Sequence, residues 1–267
     1  ALVTGTGPIA LVLETDQCLV YTLTLLERDP DANPGGFDAE TLAPLVAAGL
    51  HSVTTAVDAT NLSNIEIGQP THVFDADTVD GEVVIRLSIE GERAWPLFQE
   101  ADVALPAGTL IIADRSKVLA IAGVIGCEES KATASTQRIL LESACFDPVS
   151  VRVASRALGI HTDSTARFER GSDPKRPLVG AGRVVHLLES QSDWRRVGAT
   201  GVVGDWRDPI RRVPLAPTAT ATYLGVALSL DRITELLGRQ GFVRDGVEDR
   251  GWPAFRVPSW RLWDVEH

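Results

Sequence analysis

The sequence predicts an α+β fold in which strands outnumber helices. Short apolar runs bounded by Gly, Pro, Asp or Asn recur along the chain. Only a few stretches carry both a helix cap and a helix stop. There is no internal repeat and no low-complexity tract.

Residues 9–27 (IALVLETDQCLVYTLTLLE) read as two apolar strands split by the turn Thr15-Asp16-Gln17. The stretch 29–37 (DPDANPGGF) is a loop, after which Asp38 caps a helix, AETLAPLVAAGL, that stops at Gly49. Residues 52–58 (SVTTAVD) are β-branched and predict a strand leading into a polar turn at Ala59-Thr60-Asn61. Further strands are expected at 82–89, 109–112 and 118–125, the last broken by Gly123 and closed by Gly126, and at 138–141, ending at Glu142. Pro148 opens a helix through Ala157, halted by Gly159, and a second helix is expected from about Pro177 to Ser190. Apolar periodicity lapses over 191–214, which sets a domain boundary and two domains, 1–204 and 205–267. In the second, Ser229 caps a helix over 228–237, GFVRDG forms a strand and turn, and VPSWRLWDVEH begins as a strand.

At 267 residues, with 44% apolar and 23% charged side chains, the chain can bury a sizeable core, which excludes a disordered or disulfide-stapled class. No apolar run approaches the roughly 18 residues of a membrane span, and no basic start precedes an apolar stretch, so neither a span nor a signal peptide is expected. The net charge of −11 lies wholly in residues 1–204, which hold 16 basic and 27 acidic side chains. Such a body repels phosphate backbones and disfavours nucleic acid as a direct partner. Cys18, Cys127 and Cys145 are odd in number and lack CxxC spacing, pointing to reduced packing thiols in a cytoplasmic protein.

Three segments are too polar or too Gly-interrupted for plain strands or helices: Thr60-Asn61 with 69–75 (QPTHVFD), 122–130 (AGVIGCEES) and 159–171 (GIHTDSTARFERG). Gly123 and Gly126 would let backbone approach a ligand closely. Glu142 closes an apolar strand, so its carboxylate is either paired inside or lines a cavity. His72 is a structural histidine or a pocket residue, and Arg167, Glu169 and Arg170 are an ion-pair cluster or part of a site. HExxH, P-loop, GxGxxG-after-strand and GxSxG patterns are absent, so metal, ATP-driven and serine-hydrolase chemistry have no local support, and no cofactor is expected.

Four strings in order, DATN…IGQPTHVFDAD, LIIADRS…LAIAGVIGCEES, RILLESACFDPVSVR and LGIHTDSTARFERGSDP, resemble the B3/B4 region of the bacterial phenylalanyl-tRNA synthetase β subunit. The tail, with LLGRQGF and VPSWRLWDVE, resembles part of the B5 domain that follows it in that family. The resemblance covers roughly residues 52–265. It implies a B3/B4-type editing-domain fold over 1–204, with an aromatic amino-acid pocket, and an incomplete B5-like α+β domain over 205–267. It also implies hydrolysis of tyrosine wrongly esterified to phenylalanine tRNA. Residue by residue, Thr60 and His72 match positions near the ester and attacking water, with Asn61 beside them. Gly123 and Gly126 match the pocket's backbone wall, with Ser164 and Thr162 also at the pocket. Glu142 matches the carboxylate that recognises the phenolic hydroxyl.

The chain departs from the family at Ser164, where Ala is usual, at Thr165-Ala166 in place of Ser-His, and at Cys127 in place of a Gly; residues 95–101 (WPLFQEA) lack the family's LDG turn. The family's β subunit is several times longer and works with an α subunit. This chain is therefore an excised piece or a free-standing paralogue. Three functions follow. One is editing-type hydrolysis with Thr60, His72 and Glu142 at the ester. Another is condensation of a free aromatic amino acid with a carbonyl compound, in a Pictet-Spengler-like cyclisation. The third is a non-catalytic scaffold module. The expected partners are an aromatic amino acid or its ester, tRNA against the acidic charge, and an α subunit or a second copy of the chain, with no membrane.

Overall fold

The computed structural model describes residues 2–3, 9–32, 35–204, 211–248 and 250–265. The chain divides into two compact units, Ala1–Trp206 and Arg207–His267. The boundary expected after Gly204 falls on 205–210, outside the described residues, as do Asn33 and Pro34 of the first loop.

In the first unit the elements are β1 (Leu2–Val3), β2 (Leu11–Leu13), β3 (Cys18–Arg28), α1 (Ala39–Ala47), α2 (Thr55–Ile67), β4 (Thr71–Asp75), β5 (Val83–Leu87), β6 (Arg93–Ala94) and β7 (Val103–Ala104). There follow β8 (Leu110–Ala113), β9 (Val118–Ile121), β10 (Ile125–Gly126), β11 (Arg138–Phe146), α3 (Pro148–Leu158), α4 (Asp163–Phe168), α5 (Arg176–Gln191) and β12 (Trp194–Gly204). Six strands form one sheet in the order β1-β2-β5-β8-β9-β10, and four form a second in the order β12-β3-β11-β4. β2 and β5 are parallel; every other pairing in these two sheets is antiparallel. The fold is the mixed α and β class that the sequence predicts.

The two central strands of the four-stranded sheet, β3 and β11, are buried on both faces, and their two-residue period sorts side chains between two cores. Ile139 and Leu141 of β11, Val73 of β4 and Leu26 of β3 join Leu62, Val184 and Leu188 of α2 and α5 in a helix-side core. Leu140, Ala144 and Phe146 of β11, Phe74 of β4 and Tyr21, Leu23 and Leu25 of β3 face Ile85, Ile112 and Ile121 of the six-stranded sheet.

The main correction to the sequence reading lies at 52–61. The expected strand and turn are the helix α2, and Thr60 and Asn61 sit inside it. Local capping overrides the β-branched composition here. The Thr54 hydroxyl accepts from the Val57 amide, and Gly68 closes the helix at φ 71°. Asp58, one turn in, reaches back to the Ser52 hydroxyl (2.5 Å) and the Val53 amide (2.9 Å), holding the entering chain. The strand expected to end at Glu142 continues to Phe146, which puts Glu142 in mid-strand. The polar stretches at 71–75, 163–168 and 194–204 are β4, α4 and β12. β4 and β12 are the edges of their sheet, where polar side chains are tolerated and apolar periodicity fades. Arg170 and Glu169 do pair, at 3.8 Å on the surface.

The second unit holds β13 (Arg212–Pro214), α6 (Ala219–Leu224), α7 (Leu230–Gly238), β14 (Val243–Val247) and β15 (Pro253–Arg256), with sheet order β13-β15-β14. Ser229 caps α7 as expected. VPSWRL, expected as a strand, instead forms a 3-10 turn over Ser259–Arg261, and the strand precedes it. Ile233, Phe255, Val257 and Leu262 are buried and supply the core of this unit.

Replacing Asp58 by Ala removes the acceptor shared by the Ser52 hydroxyl and the Val53 amide, and with it the brace on the chain entering α2. The expected loss is about 1–2 kcal/mol of unfolding free energy, seen as a lower urea midpoint at an unchanged slope.

Candidate functional site

A cleft of about 50 Å³ opens between the two sheets of the first unit, lined by residues that include His72, Gly123, Gly126, Glu142, Ser164 and Phe168. The strand period explains why these meet. Glu142 shares the inter-sheet face of β11 with Leu140 and Ala144, and His72 shares that of β4 with Phe74. The antiparallel register sets Glu142 and His72 directly opposite each other. The β9–β10 hairpin supplies Gly123 and Gly126, and Ser164 and Phe168 come from α4. Phe168 stands edge-on to Phe146 at 5.2 Å, forming an aromatic wall.

Glu142 is 7% exposed and sits among apolar neighbours. Burial pushes its carboxyl up to about 8, although the hydrogen bond from the Tyr21 hydroxyl (3.3 Å to Oε2) pulls the other way. Burial alone pushes the His72 imidazole down to about 4. At neutral pH the cleft therefore presents a mostly protonated carboxyl beside an uncharged imidazole, within a strongly acidic protein. Nε2 of His72 is buried with no hydrogen-bond partner, whereas Nδ1 is not so sealed. Gly126 is required by this ring. A Cβ at that position would come within 2.5 Å of both Nε2 and Cε1. An imidazole of such low proton affinity orients a water more effectively than it deprotonates one.

The remaining candidates separate. Thr162 caps α4 through the Thr165 amide and donates to the Val124 carbonyl at 2.8 Å, tying α4 to the hairpin without lining the cleft. Thr60 donates to the Val57 carbonyl at 2.6 Å within α2, so its hydroxyl is spent on its own helix. Thr60 and Asn61 are not among the residues lining the cleft. Sequence reasoning missed Tyr21, which looked like one more apolar residue of β3, and Phe168 and Ile112, whose contribution needs the two sheets in place. Cys127 and Cys145 are buried and pushed up to about 12 by desolvation.

Two larger hollows, about 200 Å³ beside α3 and about 250 Å³ within the second unit, are lined by no titratable side chain. Among the described residues no group of three His, Cys, Asp or Glu is placed to hold a metal ion, and no helix is long and apolar enough to cross a membrane. The cleft is thus where acid–base chemistry has groups to work with.

Residues 40–193 match the model of the B3/4 domain. The chain belongs to the B3/4 domain family. It is 36% identical over 215 residues to the phenylalanine–tRNA ligase β subunit of Vibrio vulnificus, a match covering 80% of this chain and 27% of that protein. It is 43% identical over 199 residues to the β subunit of Psychrobacter arcticus, covering 74% and 25%. The chain thus spans about a quarter of the length of the curated relatives it matches. A crystal structure of an N-terminal fragment of the phenylalanyl-tRNA synthetase β subunit from Pyrococcus horikoshii aligns with a TM-score of 0.46 at 12% identity, over 96% of this chain and 70% of that one. All the cleft residues named here fall within the matched B3/4 domain.

The two shifted groups make stability depend on pH with opposite signs. Between pH 6.5 and 8 the fold keeps a Glu142 proton that the unfolded chain has lost, so stability falls as pH rises. Between 4.5 and 6.5 this fall is opposed by His72, which the unfolded chain protonates and the fold leaves neutral. Glu142→Gln is expected to abolish the loss of stability between pH 6.5 and 8. Urea midpoints at those two values check it, and an undiminished loss in the variant would place the proton elsewhere.

Proposed function

We propose that the cleft receives the aromatic side chain of an aminoacyl ester and that the ester is hydrolysed there. The reaction is editing-type removal of tyrosine from mischarged phenylalanine tRNA, in a phenylalanine–tRNA ligase β-like protein of the cytoplasm. The observation that carries this reading is Glu142, a buried carboxyl that lines the cleft with Ile112, Ile121 and Phe168 and whose single hydrogen bond is to one of its two oxygens. A phenolic hydroxyl satisfies the other oxygen, whereas a phenylalanine ring leaves it without a partner, so selection for tyrosine follows from the cost of an orphaned buried polar group. Neutral His72 orients the water, and the activated ester needs little more than that placement. Ser164 on the wall adjusts which ring fits, while Gly123 and Gly126 let the hairpin lie close to it.

The acidic excess of residues 1–204 leaves the phosphate backbone of a tRNA to be held by another body, for which an α subunit is the natural partner. Residues 205–267 serve in this reading as a B5-like domain. The same acidic excess favours a second reading, in which a free aromatic amino acid occupies the cleft and condenses with a carbonyl compound.

Hydrolysis of tyrosine-charged and phenylalanine-charged phenylalanine tRNA by the purified protein tests the proposal. His72→Ala is expected to lower kcat by about 100-fold. Glu142→Gln is expected to cut the preference for the tyrosyl ester by about tenfold or more. Absence of deacylation in the wild type, with calorimetric binding of free tyrosine or tryptophan, would move the assignment to the second reading.

A further inference from the structure

We propose that Tyr21 is the positioning residue of the cleft: its hydroxyl pins one oxygen of Glu142 and thereby turns the other toward the ligand. The proposal deepens, and rests on, the reading of Glu142 as the group that meets a phenolic hydroxyl.

Tyr21 is fully buried on β3, on the same inter-sheet face as Glu142. Its hydroxyl donates to Oε2 at 3.3 Å, a bond between strands 121 residues apart in sequence. Oε1 accepts no hydrogen bond from the described residues, yet it is not one of the sealed polar atoms, and Glu142 lines the cleft. The carboxyl is thus split in function, with one oxygen anchored inside and one presented. The terminal torsion of a glutamate is broad and nearly two-fold, so packing alone leaves the plane of the carboxyl poorly determined. A fixed donor on one side selects a single plane. In the protonated acid, Oε2 serves as Tyr21's acceptor and the proton resides on Oε1, where it too points at the ligand. Discrimination between rings with and without a para-hydroxyl then depends on Tyr21 although Tyr21 never touches the substrate.

Tyr21 also sets when the carboxyl ionises, since its hydrogen bond opposes the upward push of burial. The other titratable groups facing Glu142 are Cys18 on β3, whose thiol burial raises, and His72 on β4, which stays neutral. From β8, β9, β10 and α4 the cleft receives Ile112, Ile121, Gly126, Ser164 and Phe168, none of which titrates in this range. Loss of the Tyr21 hydroxyl should therefore move the ionisation of Glu142 upward from about 8.

The test is Tyr21→Phe, which keeps the ring and its packing. Binding of L-tyrosine and of L-phenylalanine is measured by calorimetry from pH 6 to 9.5, in wild type, Tyr21→Phe and Glu142→Gln. The wild-type preference for tyrosine is expected to fall about tenfold in Tyr21→Phe, and the pH midpoint of that preference to move upward. Glu142→Gln should lose the midpoint altogether. The carboxyl stretch of Glu142, isolated by infrared difference against Glu142→Gln, gives the same midpoint without a ligand. A merely structural role would lower stability and weaken both ligands alike, with the midpoint unmoved, and that result would overturn the proposal. If Glu142→Gln behaves as expected while Tyr21→Phe matches wild type, the positioning role falls and the reading of Glu142 stands. If wild type shows no preference and Glu142→Gln is silent, the reading of Glu142 falls and takes the positioning role with it.

Discussion

The register of β11 between β3 and β4 is the constraint on which the cleft depends. Both faces of this strand are buried, one by helices and one by a second sheet, so its side chains divide strictly by parity. A slip of one residue would send Glu142 into the helix layer and bring Leu141 or Ser143 to the cleft. The slip is resisted because Ile139 and Leu141 would leave the apolar helix-side core at the same time. The packing of hydrophobic side chains thus positions a carboxyl that by itself is costly to bury.

That cost is met by neutralisation rather than by an ion pair. No salt bridge is made by Glu142 among the described residues, and its one hydrogen bond comes from an uncharged phenol. The imidazole opposite responds to the same burial in the opposite direction, so two titratable groups face each other with almost no charge between them at neutral pH. Elsewhere the protein resolves charge conventionally. Arg28 meets Asp193 at 2.5 Å and stacks over Trp194. Arg86 holds Glu92 through two hydrogen bonds. The cleft differs because its carboxyl is buried with a single hydrogen bond and, among the described residues, no cation beside it.

Membership of the B3/4 domain family agrees with this arrangement, since the family match runs from α1 to the start of β12 and contains the cleft residues. Tyr21 lies on β3, before the matched span, and reaches the site only because β3 pairs with β11 along its length.

The sequence by itself determined the fold class, most of the apolar strands, the capped helices at Asp38, Pro148 and Ser229, and the candidate status of His72, Gly123, Gly126, Ser164 and Glu142. These were legible because caps, turns and apolar runs are local signals. Tertiary structure decided most of the rest. α2 has a local cap at Thr54 that its β-branched composition hid, and α5 packing on it adds the tertiary part of its stability. Thr60 is withdrawn from the cleft by that same helix. β4 and β12 look too polar for strands until their position as sheet edges is known. Tyr21 reads as one more core residue until β3 and β11 pair and bring its hydroxyl to Glu142. What a side chain faces across a sheet depends on strands far away in the chain, and no local pattern carries that information.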